Sequence, residues 1–123
     1  MNLDLESAKT AQEIIKKTKK ESEASEVENL ITKTLGVLQE NGVYACMLFL
    51  YSRTSKSDKI VRKKLLGIAE RLVDDPENRD KSKNDLEFLT DNICNDIDTL
   101  LLTKQLWEQT LIYARYGAKA REK

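Results

Sequence analysis

The clearest candidates for chemistry in this 123-residue sequence are basic side chains concentrated between positions 53 and 64. They are Arg53, Lys56, Lys59, Arg62, Lys63 and Lys64. Lys56, Lys59 and Lys63 recur at i, i+3 and i+7, a spacing that places them on one face of a helix. Cations in such an array neutralise successive phosphates of a nucleic acid. The same pattern is also typical of the solvated face of an amphipathic helix, so the sequence leaves both interpretations open.

A second pair of cations lies near the end of the sequence. Arg115 and Lys119 are four residues apart and neighbour Tyr113 and Tyr116. Cations beside aromatic rings bind single-stranded nucleic acids, and they also occur in protein interfaces. The nucleic-acid-binding residues that the sequence predicts are therefore Arg53, Lys56, Lys59, Arg62, Lys63, Arg115 and Lys119.

The usual components of an active site are absent from the sequence. It contains no histidine, and its two cysteines, Cys46 and Cys94, lie far apart in apolar stretches, as buried reduced thiols do. It has neither a glycine-rich phosphate loop nor a GxSxG motif. Asp91, Asp96 and Asp98 lack the glycine and the spacing of a calcium loop. We therefore expect no catalytic residue, no metal and no cofactor, and a protein that acts by binding.

The charges are sorted along the chain, although the formal net charge is zero. Residues 42–73 carry seven basic and two acidic side chains, whereas residues 74–99 carry three basic and nine acidic ones. A folded chain of this kind is expected to present one basic and one acidic surface. Oppositely charged surfaces on one molecule suit head-to-tail contacts between copies.

The composition favours helices. Apolar residues make up 40% of the chain and charged residues 34%, with four glycines and one proline. These values and the length predict an all-α fold, a single compact bundle of about five to six helices covering residues 1–123. The sequence shows neither a signal peptide nor an apolar run of the roughly 20 residues that span a bilayer, so we expect a cytoplasmic protein without membrane contact.

Apolar periodicity and capping residues indicate where the first helices lie. The pattern predicts a helix over about 5–20 and a second one to about residue 40, which begins at a capping box formed by Ser25 and Glu28. Asn41 and Gly42 predict a turn. Residues 43–51 are apolar throughout and fit a buried strand or a buried helix. We predict a helix, because no other segment offers a strand partner.

The second half of the sequence predicts three further elements. A basic amphipathic helix begins at Ser57 or Asp58 and ends before residue 74, and residues 74–83 form an exposed loop. A short helix over about 85–93 leads to a long helix that starts near Asn95 or Asp96. Apolar residues cover more than one face of this last helix, which predicts that it also contacts a protein neighbour. The predicted interface residues are Leu106, Trp107, Ile112 and Tyr116.

Two segments, together with the short charged N-terminal helix and the length of the chain, resemble the small-subunit family of type III-B CRISPR effector complexes, the Cmr small subunits. The sequence LQENG at 38–42 followed by VYACMLFLYS at 43–52 resembles the family's Asn-Gly junction and buried helix. The sequence LIYARYGAKA at 111–120 is similar to its aromatic and basic C-terminal end. Gly117 departs from the family pattern, where a larger helix former is expected, and so does the compact acidic connection at 74–83.

The resemblance implies a non-catalytic subunit of an RNA-guided, RNA-targeting complex. Such a subunit stacks with copies of itself in an inner row beside the backbone and large subunits, along the guide RNA and target RNA. RNA cleavage and nucleotide cyclisation then belong to the partner subunits. A helical adaptor that binds only protein is the alternative. A helix-turn-helix regulator is less well supported, since the basic helix lacks base-reading Asn or Gln residues.

Overall fold

Six helices account for most of the chain in the computed structural model, which describes residues 2–73 and 84–121. They are α1 (Leu3–Thr18), α2 (Ala24–Asn41), α3 (Val43–Tyr51), α4 (Lys56–Arg71), α5 (Asp85–Phe88) and α6 (Ile97–Arg121). The described parts of the chain contain no strand, which confirms the predicted all-α bundle. The exposed loop predicted at 74–83 lies outside the described residues.

The long helix α6 is the centre of the bundle and packs against both α1 and α2. Its C-terminal end lies beside the α1–α2 connection, where Arg121 Nη2 donates a hydrogen bond to the Ser22 carbonyl oxygen at 2.6 Å. The middle of α6 contacts the start of α1, so these two helices run parallel. The end of α6 contacts the start of α2, so these two helices run antiparallel. The largest fully buried side chains of the core include Trp107, Phe88, Ile14, Ile31, Leu38, Met47, Leu50 and Leu65.

The segment 43–51 is a helix, as predicted. Gly42 has a φ of 94°, a left-handed value that favours glycine, and this residue lets α3 turn away directly after α2. Val43, Cys46, Met47 and Leu50 of α3 are buried in the core. The opposite side of α3 leaves apolar surface exposed at Tyr44, Leu48 and Tyr51.

The capping box predicted at Ser25 and Glu28 is wrong. Helix α2 begins at Ala24, and its N-cap residue is Glu23, whose side chain makes no capping hydrogen bond. The Glu23 carbonyl already accepts a hydrogen bond from the Val27 N–H at 3.1 Å, so Ser25 lies within the first turn. Because the chain is already helical at Ser25, its side chain is not in the N-cap position that the predicted capping box requires.

A capping box does form at the start of α4. This helix begins at Lys56, one residue before Ser57, the first of the two predicted starting residues. The Ser55 side chain accepts a hydrogen bond from the Asp58 N–H, and the Asp58 carboxylate accepts one from the Ser55 N–H. After α5 the chain continues as a π-helical segment, Leu89–Ile93, before α6 begins at Ile97. None of the helices in the described ranges has both the length and the apolar character needed to cross a membrane.

Candidate nucleic-acid interface

Two ion pairs join α1 to α4, and a third joins Glu21, in the connection just after α1, to the start of α4. Arg71 Nε lies 3.5 Å from Glu6 Oε1, Lys64 Nζ lies 2.5 Å from Glu13 Oε2, and Lys56 Nζ lies 3.8 Å from Glu21 Oε2. From each pair to the next, the two segments of chain advance by equal numbers of residues in opposite directions, which in the helices corresponds to about two turns. The helices are therefore antiparallel, with a row of ion pairs along their shared edge.

The row of ion pairs changes the interpretation of the basic helix. Lys64 is paired with Glu13 and its side chain is only 23% exposed. Lys56 also contacts an acidic partner, although its side chain is 79% exposed. Part of the positive charge in α4 thus serves to hold α4 against α1 and the connection that follows it.

Among the basic residues at positions 53–64, Lys59 and Lys63 remain available to contact an anion. Both side chains are exposed, and neither forms an ion pair with any residue in the ranges 2–73 and 84–121. They are four residues apart on α4, about 6 Å along the helix axis. Two adjacent cations at this spacing are suited to contact the backbone of a single nucleic-acid strand.

The two arginines among the basic residues at positions 53–64 are engaged in contacts within the protein. Arg53 Nε donates a hydrogen bond to Asp58 Oδ1 at 2.9 Å, and its guanidinium lies 5.6 Å from the centre of the Phe49 ring. The Arg62 guanidinium stacks on Tyr51, 4.1 Å from the ring centre. Cation–π contacts of this kind fix each arginine side chain against an aromatic ring of α3. Both residues therefore have structural roles at the α3–α4 corner.

Helix α1 contributes cations that the sequence analysis did not select. Lys9, with Thr10 of the same helix, lines a groove of about 350 Å³ between α1 and α4, opposite Lys63 and Gly67. Lys17 lies beside Lys64, and the neighbouring ammonium lowers the pKa of Lys17. Lys9, Glu13 and Lys17 recur every four residues along α1, and this spacing was the signal that would have identified the α1 edge.

The cations near the C-terminus lie elsewhere. Gly117 faces Ile15 of α1, and Arg115 and Lys119, two residues before and after it, point to the other side of α6. Lys119 Nζ lies 3.7 Å from Glu28 Oε1 on α2. The structure therefore does not bring Arg115 and Lys119 together with the basic surface of α1 and α4, which we define as Lys9, Lys17, Lys59 and Lys63.

Two of the predicted interface residues are core residues. Leu106 is 2% exposed and Trp107 is fully buried, so neither side chain can anchor a protein partner. The sequence pattern missed this because α6 is packed by helices on two sides. Ile112 is half-buried against the core, whereas Tyr116 is 66% exposed and remains accessible.

The thiols do not provide a reactive group. Cys46 is fully buried, and desolvation raises its pKa to about 12. Burial also raises the pKa of Cys94. A thiol needs a lowered pKa to act as a nucleophile at neutral pH. Neither cysteine meets this condition.

Comparison with known proteins gives no relative for this chain. No family model, no curated protein and no solved structure matches it.

Proposed function

We propose that this protein is a non-catalytic small subunit of a type III-B CRISPR effector complex, an RNA-guided complex that targets RNA. The observation that supports RNA contact most directly is the pair Lys59 and Lys63, exposed and without ion pairs among the described residues. Lys9 and Lys17 extend the positive charge across the α1–α4 edge. The resemblance of segments 38–52 and 111–120 to the Cmr small subunits supplies the identity of the complex.

In this proposal the subunit holds the guide RNA or target RNA by its phosphates. Lysine ammonium groups bind phosphates without reading sequence, which suits a protein that meets a different guide in every complex. Backbone and large subunits and copies of the same chain are its protein partners. The chain uses no metal or cofactor, and cleavage of RNA belongs to the partner subunits.

Salt-dependent RNA binding by the purified chain tests the proposal. The variant Lys59→Glu/Lys63→Glu is compared with Lys33→Glu/Lys104→Glu, which has the same net charge and alters cations on α2 and α6. Loss of two phosphate contacts with a single strand lowers the slope of log K against log salt by about 1.4. We expect the α4 variant alone to show this loss in fluorescence anisotropy. Equal RNA affinity of the two variants contradicts the proposal.

Recovery of partners from the native cells tests the identity of the complex. Tagged protein is isolated with and without nuclease, and the proteins and short RNAs that accompany it are identified. We expect CRISPR backbone subunits together with RNAs of uniform length. A single unrelated protein partner, retained after nuclease treatment and without RNA, refutes membership in an RNA-guided complex.

A helical adaptor that binds only protein is the second candidate. It is favoured by the apolar surface of α3, where Tyr44, Leu48 and Tyr51 are 38%, 43% and 38% exposed. These residues share one face at i, i+4 and i+7 and would replace Leu106 and Trp107 as anchors. The adaptor predicts no RNA affinity even at low salt and loss of the partner in a Leu48→Asp variant.

A further inference from the structure

The N-terminal end of α6 carries an apolar ridge with acidic neighbours. Ile97 and Leu101 lie one turn apart and are 69% and 57% exposed, the largest exposures among the large aliphatic side chains of the described residues. Asp96 and Asp98 beside them are also exposed. Large apolar side chains with such exposure on adjacent turns are typical of a contact site for another protein. We define Asp96, Ile97, Asp98 and Leu101 as the ridge.

A groove with the complementary properties lies at the other end of the same helix, between α1 and α6. Its volume is about 560 Å³. Small and apolar residues form its floor, and two exposed lysines stand at its edge. The floor includes Ala8, Ala11, Ile15 and Gly117, and the edge includes Lys16 and Lys19.

Gly117 explains why the groove exists. A Cβ atom at this position would lie 3.0 Å from Ile15 Cγ1, so the absence of a side chain allows α1 and α6 to approach closely. Alanines at 8 and 11 line the same space together with Ile15 and Tyr113, and their small side chains leave room in the groove. Gly117, which departs from the pattern of the family that the chain resembles, thus has a local role in this groove.

The ridge and the groove cannot meet within one molecule. Leu101 and Gly117 are 16 residues apart, which corresponds to about 24 Å along the axis of α6 and about 160° around it. The two surfaces therefore lie at opposite ends and on nearly opposite sides of one rigid helix. A contact between them requires a second copy of the chain.

We propose that the ridge of one copy docks in the α1–α6 groove of the next copy. Ile97 and Leu101 enter the apolar floor, while Asp96 and Asp98 face Lys16 and Lys19 across the edge. The contact joins two different surfaces, so it is heterologous and repeats without closing into a dimer. It deepens the proposed function, on which it rests for its biological setting, by naming the surfaces through which copies stack.

Sedimentation of the purified chain without RNA tests this contact. Two variants each remove one surface: Leu101→Asp for the ridge, and Lys16→Glu/Lys19→Glu for the groove. All substituted side chains are exposed, so the fold is expected to remain intact, and circular dichroism verifies this. Leu48→Asp, which removes a comparably exposed leucine on α3, is the matched control.

We expect the mean mass of the wild type and of the Leu48→Asp control to rise with concentration in low salt, beyond that of a dimer. Each surface variant alone should sediment as a 14.1 kDa monomer. An equimolar mixture of the two variants should form a dimer and nothing larger, because one intact ridge and one intact groove remain. A wild type that stays monomeric, or a mixture that shows no dimer, overturns the proposal.

The same variants separate this contact from RNA binding. The Leu101→Asp monomer retains Lys59 and Lys63 and should bind single-stranded RNA with the affinity of the monomeric wild type. Loss of self-association with intact RNA binding supports the ridge–groove contact independently of the lysine pair. Self-association that is unchanged in both surface variants refutes it, whatever the RNA result.

Discussion

Asp58 is the residue whose removal should destabilise the protein most clearly through electrostatics. Its side chain is 3% exposed at the start of α4. Its carboxylate accepts hydrogen bonds from the Ser55 N–H and from Arg53 Nε, both at 2.9 Å. The residue thereby joins the α3–α4 corner to the first turn of α4, and the α4 lysines depend on where this helix begins.

The expected loss of unfolding free energy in Asp58→Ala follows from these two interactions. Removal of a helix-capping group costs about 1 kcal/mol. Loss of a charge-assisted hydrogen bond adds about 1 to 2 kcal/mol, at the lower end because the Arg53 side chain is 36% exposed. The sum of about 2 to 3 kcal/mol lowers the Tm of a domain of this size by roughly 8 to 12 °C.

Trp107 provides the assay, since it is the single tryptophan of the chain and is fully buried. Its fluorescence therefore reports exposure of the core during thermal unfolding. The control is Asp98→Ala, which removes an exposed acidic residue from the first turn of α6. Its interaction with the helix dipole accounts for less than about 1 kcal/mol. Equal losses in the two variants would refute the assigned role of Asp58.

The stabilisation by Asp58 should depend on pH in a defined direction. Burial alone would raise the pKa of Asp58, but the hydrogen bonds from Ser55 and Arg53 outweigh it and lower the pKa. A carboxyl with a lowered pKa in the folded state contributes stability above its unfolded pKa of about 3.9. That contribution is lost as the pH falls further. The difference in unfolding free energy between wild type and Asp58→Asn should therefore shrink below about pH 4.

Three further predictions concern packing and charge. Glu13→Lys places a cation beside Lys64 and should cost about 0.5 to 1 kcal/mol in urea unfolding, whereas the charge-swapped double variant with Lys64→Glu should restore most of the loss. Gly117→Leu should destabilise the protein by about 1 to 2 kcal/mol through its contact with Ile15, and Ile15→Ala should relieve part of this loss. Cys46 should react with iodoacetamide only at the rate of unfolding, and rapid modification in the folded state, detected by mass spectrometry, would contradict its burial and its pKa of about 12.

Local sequence patterns predicted most of the helices because the signals for a helix lie within a few residues of each other. The 3.6-residue apolar repeat identified α1, α2, α4 and α6, and the argument against an unpaired strand identified α3. The capping box predicted for α2 was wrong, because Ser25 and Glu28 have the right spacing but the helix already begins at Ala24. A short motif cannot report where the preceding helix ends in space.

The sequence likewise predicted only part of the candidate site. That Lys56, Lys59 and Lys63 share a face follows from helical spacing alone, so the sequence determined it. Which lysines of α4 remain available depends on α1 and the connection after it, because Glu13 pairs with Lys64 and Glu21 pairs with Lys56, 51 and 35 residues away in the chain.

The long helix shows what only the tertiary structure decided. An apolar residue on α6 is equally consistent with a core position or an exposed one, and the sequence analysis selected Trp107 for an interface. Packing against α1 and α2 buries Trp107 and leaves Ile97 and Leu101 exposed. The periodicity of a helix is determined by residues close together in the sequence. Burial depends on contacts with helices from distant parts of the chain, and the local sequence pattern does not specify these contacts.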